Sequence, residues 1–216
     1  MSVDNYVIVT NGGDLKYISE NVDMHLYQSY YSKAFVEQNI PGAKGLFVSD
    51  YINDDYRSCD WIVEDKRDIA VYNPKKGFKD LQPVIEKADW LQWIPLQNMD
   101  RKQMKETMLR SKIYVDFGYH PGKDRIPREA AACGCCVITN KKGAAAFSGD
   151  VPIPEKYKFE DTAGHLDEIN DILHDICDRF EDHSRNFDAY RAMIQGEKDK
   201  FIVDVKKFVE EITRQS

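Results

Sequence analysis

Basic residues and glycines recur together in three stretches of the sequence, each directly after a run of β-forming residues. They are Asn73, Lys75, Lys76 and Gly77; Gly118, Lys123 and Arg125; and Lys141, Lys142 and Gly143. Lysine and arginine bind phosphate through charge-assisted hydrogen bonds. Neighbouring glycines allow backbone N–H groups to approach an anion closely. If the three stretches meet in the fold, the sequence predicts an anion-binding site.

A carboxylate, Glu129, lies among these basic residues with Arg128 beside it, at the start of a run of small residues. A carboxylate in that position could accept hydrogen bonds from the hydroxyls of a ribose. It could equally serve as a negative partner for the positive N-terminal end of its own helix. The spacing alone leaves both interpretations open.

His120 and a group of cysteines are the other residues that could take part in catalysis or metal binding. His120 precedes Pro121-Gly122 and is interpreted either as a general base or phosphate donor, or as an ordinary loop histidine. Cys133, Cys135 and Cys136 are of a zinc-binding residue type. A zinc site normally takes four ligands, and no second Cys/His pair lies nearby. Buried, inert cysteines are therefore the favoured interpretation, and no metal is expected.

Alternating strand-like and helix-like segments must position these residues. Strands are predicted at Ile69–Tyr72, Trp90–Leu96, Ile113–Phe117 and Cys135–Thr139, and helices at Phe78–Ala88, 101–110 and Pro127–Cys133. This alternation is typical of an α/β fold with a parallel sheet and flanking helices. Loops at the carboxyl ends of parallel strands gather at one edge, where ligands bind. The three basic stretches are thus predicted to converge there.

The segments outside this core also carry signals. Residues 5–10 predict a strand that ends in an Asn-Gly-Gly turn at residues 11–13. Apolar spacing predicts a helix over residues 23–38, with His25 in its first turn, and a strand at residues 46–48. Two helices are predicted near the C-terminus, over residues 164–182 and 184–213.

Composition limits the classes of function. The chain has 216 residues, 31% charged and 42% hydrophobic, which is typical of a folded globular protein. A net charge of -7 argues against strong nucleic acid binding. The five cysteines are an odd number, which favours a reducing cytoplasm over a disulfide framework. No apolar run is long enough for a transmembrane segment, and no signal peptide is expected.

The segment IYVDFGYHPGKDRIPREAAACGCCVIT resembles the signature region of retaining GT-B type glycosyltransferases. The resemblance implies a Rossmann-like domain, the C-terminal half of a GT-B fold, that binds a nucleotide-diphosphate sugar such as a UDP- or GDP-sugar without a metal or other cofactor. Glu129 would then bind the ribose. The Asn73–Gly77 loop would meet the diphosphate, and Gly143 would lie near the sugar and phosphates.

The sequence departs from this family at one position. The family has a second acid eight residues before the helix glutamate, where this chain has Pro121. No catalytic residue is therefore assigned, and the candidates are His120, Lys123 and Arg125. The donor-binding set implied by the resemblance is Asn73, Lys75, Lys76, Gly77, Gly118, His120, Pro121, Gly122, Lys123, Arg125, Arg128, Glu129 and Gly143.

Three segments are predicted from the resemblance. Residues 1–65 would be a remnant of an acceptor-side domain with its linker, residues 66–160 the nucleotide-sugar-binding domain, and residues 161–216 helices packed on it. The first hypothesis is sugar transfer, as in polysaccharide biosynthesis, to an unknown acceptor such as a glycan or a lipid-linked molecule. A non-catalytic nucleotide-sugar-binding module is the alternative, and a nucleic-acid-modifying sugar transferase is a further one. Dimerisation is expected if two chains complete one cleft.

Overall fold

The computed structural model describes residues 12–215, with side chains described from residue 15 to residue 214. The strand predicted for residues 5–10 and Asn11 of the following turn lie outside the described residues. Gly12 and Gly13 begin a helix, so the turn predicted for them is wrong. Within the described part, no helix is both long and apolar enough to cross a membrane.

The centre of the molecule is a five-stranded, fully parallel sheet with the strand order β4-β3-β5-β6-β7. A separate parallel pair, β1 and β2, lies in the N-terminal part. The strands are β1 (His25–Tyr27), β2 (Gly45–Phe47), β3 (Arg67–Tyr72), β4 (Gln92–Pro95), β5 (Ser111–Asp116), β6 (Cys136–Asn140) and β7 (Lys158–Phe159). The predicted α/β class and parallel sheet are confirmed.

Helices connect and flank these strands. They are α1 (Gly12–Asn21), α2 (Tyr30–Asn39), α3 (Asp54–Arg57), α4 (Phe78–Lys87), α5 (Arg101–Arg110), α6 (Arg125–Ala132), α7 (Leu166–Asp178), α8 (Phe180–Arg185) and α9 (Asp188–Gln215). The predicted helix 164–182 is two helices, because the backbone of Arg179 leaves helical geometry at φ -126° and ψ 44°.

The two central strands have sequences suited to a sheet that is covered on both faces. All five residues of β6 are buried, as are five of the six in β5, as expected of parallel strands with helices on either side. The connecting helix α5 begins at a capping box: Asp100 and Gln103 each accept a hydrogen bond from the other's backbone N–H. Such signals explain why the predicted core elements occur close to their expected bounds.

The N-terminal part differs from the prediction of one helix over residues 23–38. Ser29 caps the helix through a reciprocal capping box with Ser32, so α2 begins only at Tyr30. His25 and Tyr27 are buried on alternate positions of strand β1. That period of two is the pattern of a strand and not of a helix. The prediction that His25 lies in a helical first turn is therefore wrong.

Candidate functional site

The loops that follow β3, β5 and β6 touch one another at the carboxyl edge of the sheet. A Cβ atom on Gly77, whose φ is +67°, would lie 2.3 Å from the backbone N of Gly118. A Cβ atom on Gly143, whose φ is +64°, would lie 2.0 Å from the carbonyl O of His120. Only glycine tolerates both the positive φ and the close approach. These glycines therefore allow the predicted convergence of the loops.

Hydrogen bonds hold the converged loops in place. The backbone of His120 bridges to that of Gly143, and the N–H of Ala144 donates to the His120 carbonyl at 2.8 Å. Asn140, the last residue of β6, donates from its side chain to the carbonyls of Phe117 and Gly118 at 2.6 and 2.9 Å. The loop after β5 is thus fastened to the loop after β6.

A polar cluster formed by Lys76, Asp116, His120 and Asp124 occupies this edge. The Lys76 ammonium pairs with Asp124, lies 3.4 Å from Asp116 Oδ2 and is 3.4 Å from His120 Nδ1. His120 Nδ1 is 2.7 Å from Asp124 Oδ2, and His120 Nε2 is 3.6 Å from Asp116 Oδ1. His120 and Asp116 are buried, whereas the Lys76 side chain remains 22% exposed. We call these four residues the strand-end cluster.

Asp116 is fixed from within the sheet. Its Oδ2 accepts a hydrogen bond from the Tyr114 hydroxyl at 3.0 Å, and its Oδ1 accepts one from the Gly118 N–H at 2.9 Å. Burial raises the pKa of Tyr114 well above its usual value, and the Asp116 charge adds to this shift. Tyr114 is consequently a protonated donor that orients Asp116 towards Lys76.

Asp124 is held as a carboxylate. Burial opposes its ionisation, but the hydrogen bond from His120 and the charge of Lys76 outweigh burial and lower its pKa. Asp124 precedes helix α6, yet its side chain does not cap that helix. Its carboxylate binds Lys76 and His120 instead, which places a negative charge beside the lysine expected to meet a diphosphate.

Glu129, the predicted ribose ligand, lies on α6 with its side chain only 3% exposed. Its Oε1 pairs with Arg125 Nε at 3.2 Å, while its Oε2 has no hydrogen-bond partner among the described residues. Burial raises the pKa of Glu129, and the charges of Arg125 and Arg128 oppose the shift. Burial and the nearby Glu129 charge raise the pKa of Tyr56 to about 12. Glu129 Oε2 is thus a buried hydrogen-bond acceptor that has no partner among the described residues.

Two of the predicted donor-binding cations, Lys123 and Arg128, enter a buried ion-pair network with Asp50 and Glu197. Glu197 of helix α9 accepts from Lys123 Nζ at 3.0 Å and from Arg128 Nη1 at 2.8 Å. Asp50 accepts from Arg128 Nη2 at 2.7 Å. Burial disfavours the charged Arg128, but Glu197 and Asp50 outweigh it and raise its pKa. These contacts join α6 to α9 and to the chain that follows β2.

The remaining predicted residues are spread around the same edge. Asn73 Oδ1 accepts from the Lys75 N–H and shapes the loop after β3, and the Lys75 side chain is exposed. Lys142 pairs with Asp80 at 3.0 Å, and Lys141 pairs with Glu155 and Glu160. A Cβ on Gly122, beside Pro121, would meet the Gln28 side chain. The sheet edge therefore gathers all three basic stretches, but most of their charges already have acidic partners.

The strand-end cluster also has the residue types of a metal site. One ligand atom from each of Asp116, His120 and Asp124 lies within 4.8 Å of the others. The Lys76 ammonium contacts both carboxylates, so the chain supplies its own cation at this point. That the protein binds its donor without a metal ion stays a prediction.

Four residues that organise this edge are not among those predicted from the sequence: Asp116, Asp124, Asn140 and Glu197. Asp116 was part of an apolar run, although a carboxylate at the end of a buried strand is itself a signal for a site. Asp124 directly precedes a helix, where the expected role is an N-cap. Glu197 is 69 residues from Arg128 along the chain, and no local pattern connects them.

The five-stranded parallel sheet with its glycine loops and flanking helices matches part of the GT-B type of glycosyltransferase fold, as solved structures of similar fold show. No family sequence model matches the chain, and no curated protein sequence matches it. Similar solved structures are sucrose-phosphate synthase from Thermosynechococcus elongatus, with 13% identity and a TM-score of 0.69, and Anabaena HepE in complex with UDP and glucose, with 12% identity and a TM-score of 0.67. TarM of S. aureus, in a complex containing UDP, has 12% identity and a TM-score of 0.64.

These matches involve nearly the whole of this chain but only part of the other proteins. They cover 98%, 94% and 90% of this chain, and 66%, 67% and 45% of sucrose-phosphate synthase, HepE and TarM respectively. The chain therefore spans about two thirds or less of the length of these glycosyltransferase structures. At such low identity the likeness establishes the fold.

Proposed function

We propose that this chain binds a nucleotide-diphosphate sugar at the carboxyl edge of its five-stranded sheet and acts as a glycosyltransferase. The supporting observation is the closure of three glycine-containing loops around Lys76 and His120, in a fold whose solved examples include HepE with UDP and glucose. A reducing cytoplasm is the proposed location, and the sugar acceptor is left open.

Lys76 is the proposed ligand of the diphosphate. Its side chain is 22% exposed, whereas the side chains of Lys123 and Arg128, which pair with Glu197, are 8% and 2% exposed. To bind phosphate, Lys76 would exchange Asp124 for a phosphate oxygen, and Asp124 would keep its hydrogen bond to His120. We assign Lys123 and Arg128 to holding helix α9. That assignment removes Lys123 and Arg128 from the donor-binding residues implied by the family resemblance.

Glu129 is the proposed ribose ligand. Its Oε2 is a buried acceptor without a partner among the described residues. A ribose hydroxyl would satisfy it, and burial of an unsatisfied polar atom is costly enough for such a bond to matter. Arg125, paired with the other oxygen, would orient the carboxylate. His120 is the proposed group beside the sugar, because its Nε2 makes no hydrogen bond within the described residues.

Titration calorimetry with UDP, GDP and their glucose conjugates tests the proposal. Lys76→Met removes a charge-assisted hydrogen bond worth about 1.5–3 kcal/mol, so we expect a ~10–100-fold loss of nucleotide affinity. Lys87→Met is the matched control, because Lys87 ends helix α4 at the opposite edge and pairs with Asp167. Glu129→Gln should weaken binding about tenfold, the effect of about 1.4 kcal/mol.

Absence of binding to all four ligands would contradict both the transferase and the binding-module hypotheses. Equal affinities in the Lys76→Met and Lys87→Met variants would remove the assigned role of Lys76. Release of UDP from a bound UDP-sugar, followed by chromatography, separates the two hypotheses. Tight binding with no release or transfer would favour the non-catalytic module.

A further inference from the structure

Two thiols from distant parts of the chain meet at the C-terminal end of helix α6. Cys59 follows α3 and Cys133 is the C-cap residue of α6, and they are 74 residues apart in sequence. Their Sγ atoms lie 3.2 Å apart as free thiols. A disulfide has an S–S distance of about 2.05 Å, so a small side-chain movement would bring these sulfurs within bonding distance.

The two thiols have different environments. Cys59 is half-buried and reachable from solvent, while Cys133 is fully buried. The hydrogen bond between the two thiols lowers the pKa of Cys59, burial opposes this, and the positive charges of Lys105 and Lys66 add to the lowering. The same hydrogen bond raises the pKa of Cys133 strongly, and burial raises it further. Cys59 is thus the thiol of the pair that ionises more readily, and Cys133 is the one that stays protonated.

A buried lysine, Lys66, supplies positive charge close to the two thiols. The buried Lys66 ammonium donates to the carbonyls of Met108, Ser111 and Cys133 at 3.1, 2.8 and 2.6 Å. It therefore lies beside the backbone of Cys133 and contributes to the electrostatic field at Cys59. A thiolate that is partly exposed and surrounded by cations is the reactive form of cysteine.

Cys177 provides an internal comparison, because it is also half-buried and free. Burial raises the pKa of Cys177 to about 12, and the negative charge of Asp68 contributes. Cys59 and Cys177 are thus similarly accessible, but their surroundings lower the pKa of Cys59 and raise the pKa of Cys177. Cys59 should react with an oxidant and Cys177 should not.

We propose that Cys59 is a peroxide-reactive thiol and that Cys133 resolves it into a reversible Cys59–Cys133 disulfide. The Cys59 thiolate attacks one oxygen of hydrogen peroxide, the O–O bond breaks, and the departing hydroxide takes up a proton to become water. The Cys133 sulfur then attacks the sulfur of the Cys59 sulfenic acid. The S–O bond breaks, and the hydroxide leaves as a second water with the Cys133 proton. Two thiols are oxidised and one peroxide is reduced.

This bond would link α3 to the end of the helix that carries Glu129. Cys133 donates its backbone N–H to the Glu129 carbonyl at 3.0 Å, so the two residues occupy one helical turn. The redox chemistry of the pair does not depend on nucleotide binding. A dithiol reductant would reverse it by thiol–disulfide exchange.

The experiment treats the purified full chain with equimolar hydrogen peroxide and maps the disulfides by mass spectrometry of an unreduced digest. We expect a cross-linked peptide pair containing Cys59 and Cys133, lost on treatment with dithiothreitol. Closing a loop of this length should raise Tm by roughly 9–18 °C. Cys133→Ser should leave Cys59 as a sulfenic acid that dimedone traps, and Cys177→Ser should preserve the cross-link.

Alkylation of the reduced wild-type chain with limiting iodoacetamide, followed by mass spectrometry, provides a measurement that needs no variant. We expect Cys59 to be labelled at least about tenfold faster than Cys177, since only the thiolate reacts. Equal labelling of Cys59 and Cys177 would overturn the proposal. So would oxidation that yields no Cys59–Cys133 bond, or a disulfide at Cys133 that still forms in a folded Cys59→Ser variant.

Discussion

The buried ion-pair network offers a sharp test, because two carboxylates share the same two cations in different surroundings. Glu197 and Asp50 both contact Lys123 and Arg128, but the Glu197 side chain is 2% exposed and that of Asp50 is 40% exposed. Glu197→Gln keeps the size of the side chain and removes its charge. It leaves two buried cations with only the half-exposed Asp50 as a counter-charge.

The magnitudes follow from burial. Breaking a buried pair from one side costs about 3–5 kcal/mol, because the remaining charge is desolvated without compensation. An exposed pair contributes about 1 kcal/mol or less. At ~2–4 °C per kcal/mol for a chain of this size, Glu197→Gln should lower Tm by about 6–20 °C. Asp50→Asn should lower it by about 2–4 °C or less.

Thermal unfolding followed by circular dichroism, with urea titration for the free energy of unfolding, measures both variants. Equal losses from Glu197→Gln and Asp50→Asn would refute the argument that burial decides the strength of this network. Calorimetry with UDP on the folded variants adds a functional result. If Lys123 and Arg128 were ligands of the diphosphate, releasing them from Glu197 would tighten UDP binding, whereas a role in holding α9 leaves the affinity unchanged.

Two further predictions concern the candidate site. Gly143→Ala places a Cβ 2.0 Å from the His120 carbonyl at a φ of +64°, and should lower the free energy of unfolding by at least about 2 kcal/mol. The control is Gly196→Ala in helix α9, where no atom lies within 4 Å of the added Cβ. This control should raise the free energy of unfolding by about 0.5–1 kcal/mol. If both glycine variants unfold alike in urea, the loop contact is not a constraint. Burial raises the folded-state pKa of Glu129, so its protonated form contributes stability below the unfolded pKa of about 4.3, and this is lost as pH rises through the folded pKa. Glu129→Gln should therefore raise Tm at pH 7 and have a smaller effect at pH 4, and a Tm difference that is the same at both pH values would count against this account.

The core of the fold could be predicted from local sequence patterns. Runs such as Ile113–Phe117 and Cys135–Thr139 are apolar on both faces, and Asp100 with Gln103 forms a helix start that can be recognised in the sequence. The N-terminal part was harder, because residues 25–38 contain a short strand and a helix within one apolar stretch. The point where the strand ends and the helix begins depends on the capping box of Ser29 and Ser32 and on the pairing of β1 with β2. The spacing of apolar residues reveals neither of these interactions.

The candidate site was predictable in location and less so in detail. Parallel topology alone brings Lys76, His120 and Gly143 to one edge, since each follows the carboxyl end of a strand. The partners of those residues were not predictable. Lys76 meets Asp124 from a loop 48 residues away, and Arg128 meets Glu197 across 69 residues. Each pairing depends on the packing of whole helices.

By itself, the sequence determined most elements of the five-stranded core, their parallel arrangement and which edge collects the basic loops, because apolar runs, capping residues and glycines act over a few positions. Only the tertiary structure decided which cations remain accessible. Charges far apart in the chain are paired when helices pack, and burial makes some of those pairs permanent parts of the fold. Of the basic residues predicted to bind an anion, packing left Lys76 partly exposed beside Asp124 and committed Lys123 and Arg128 to Glu197.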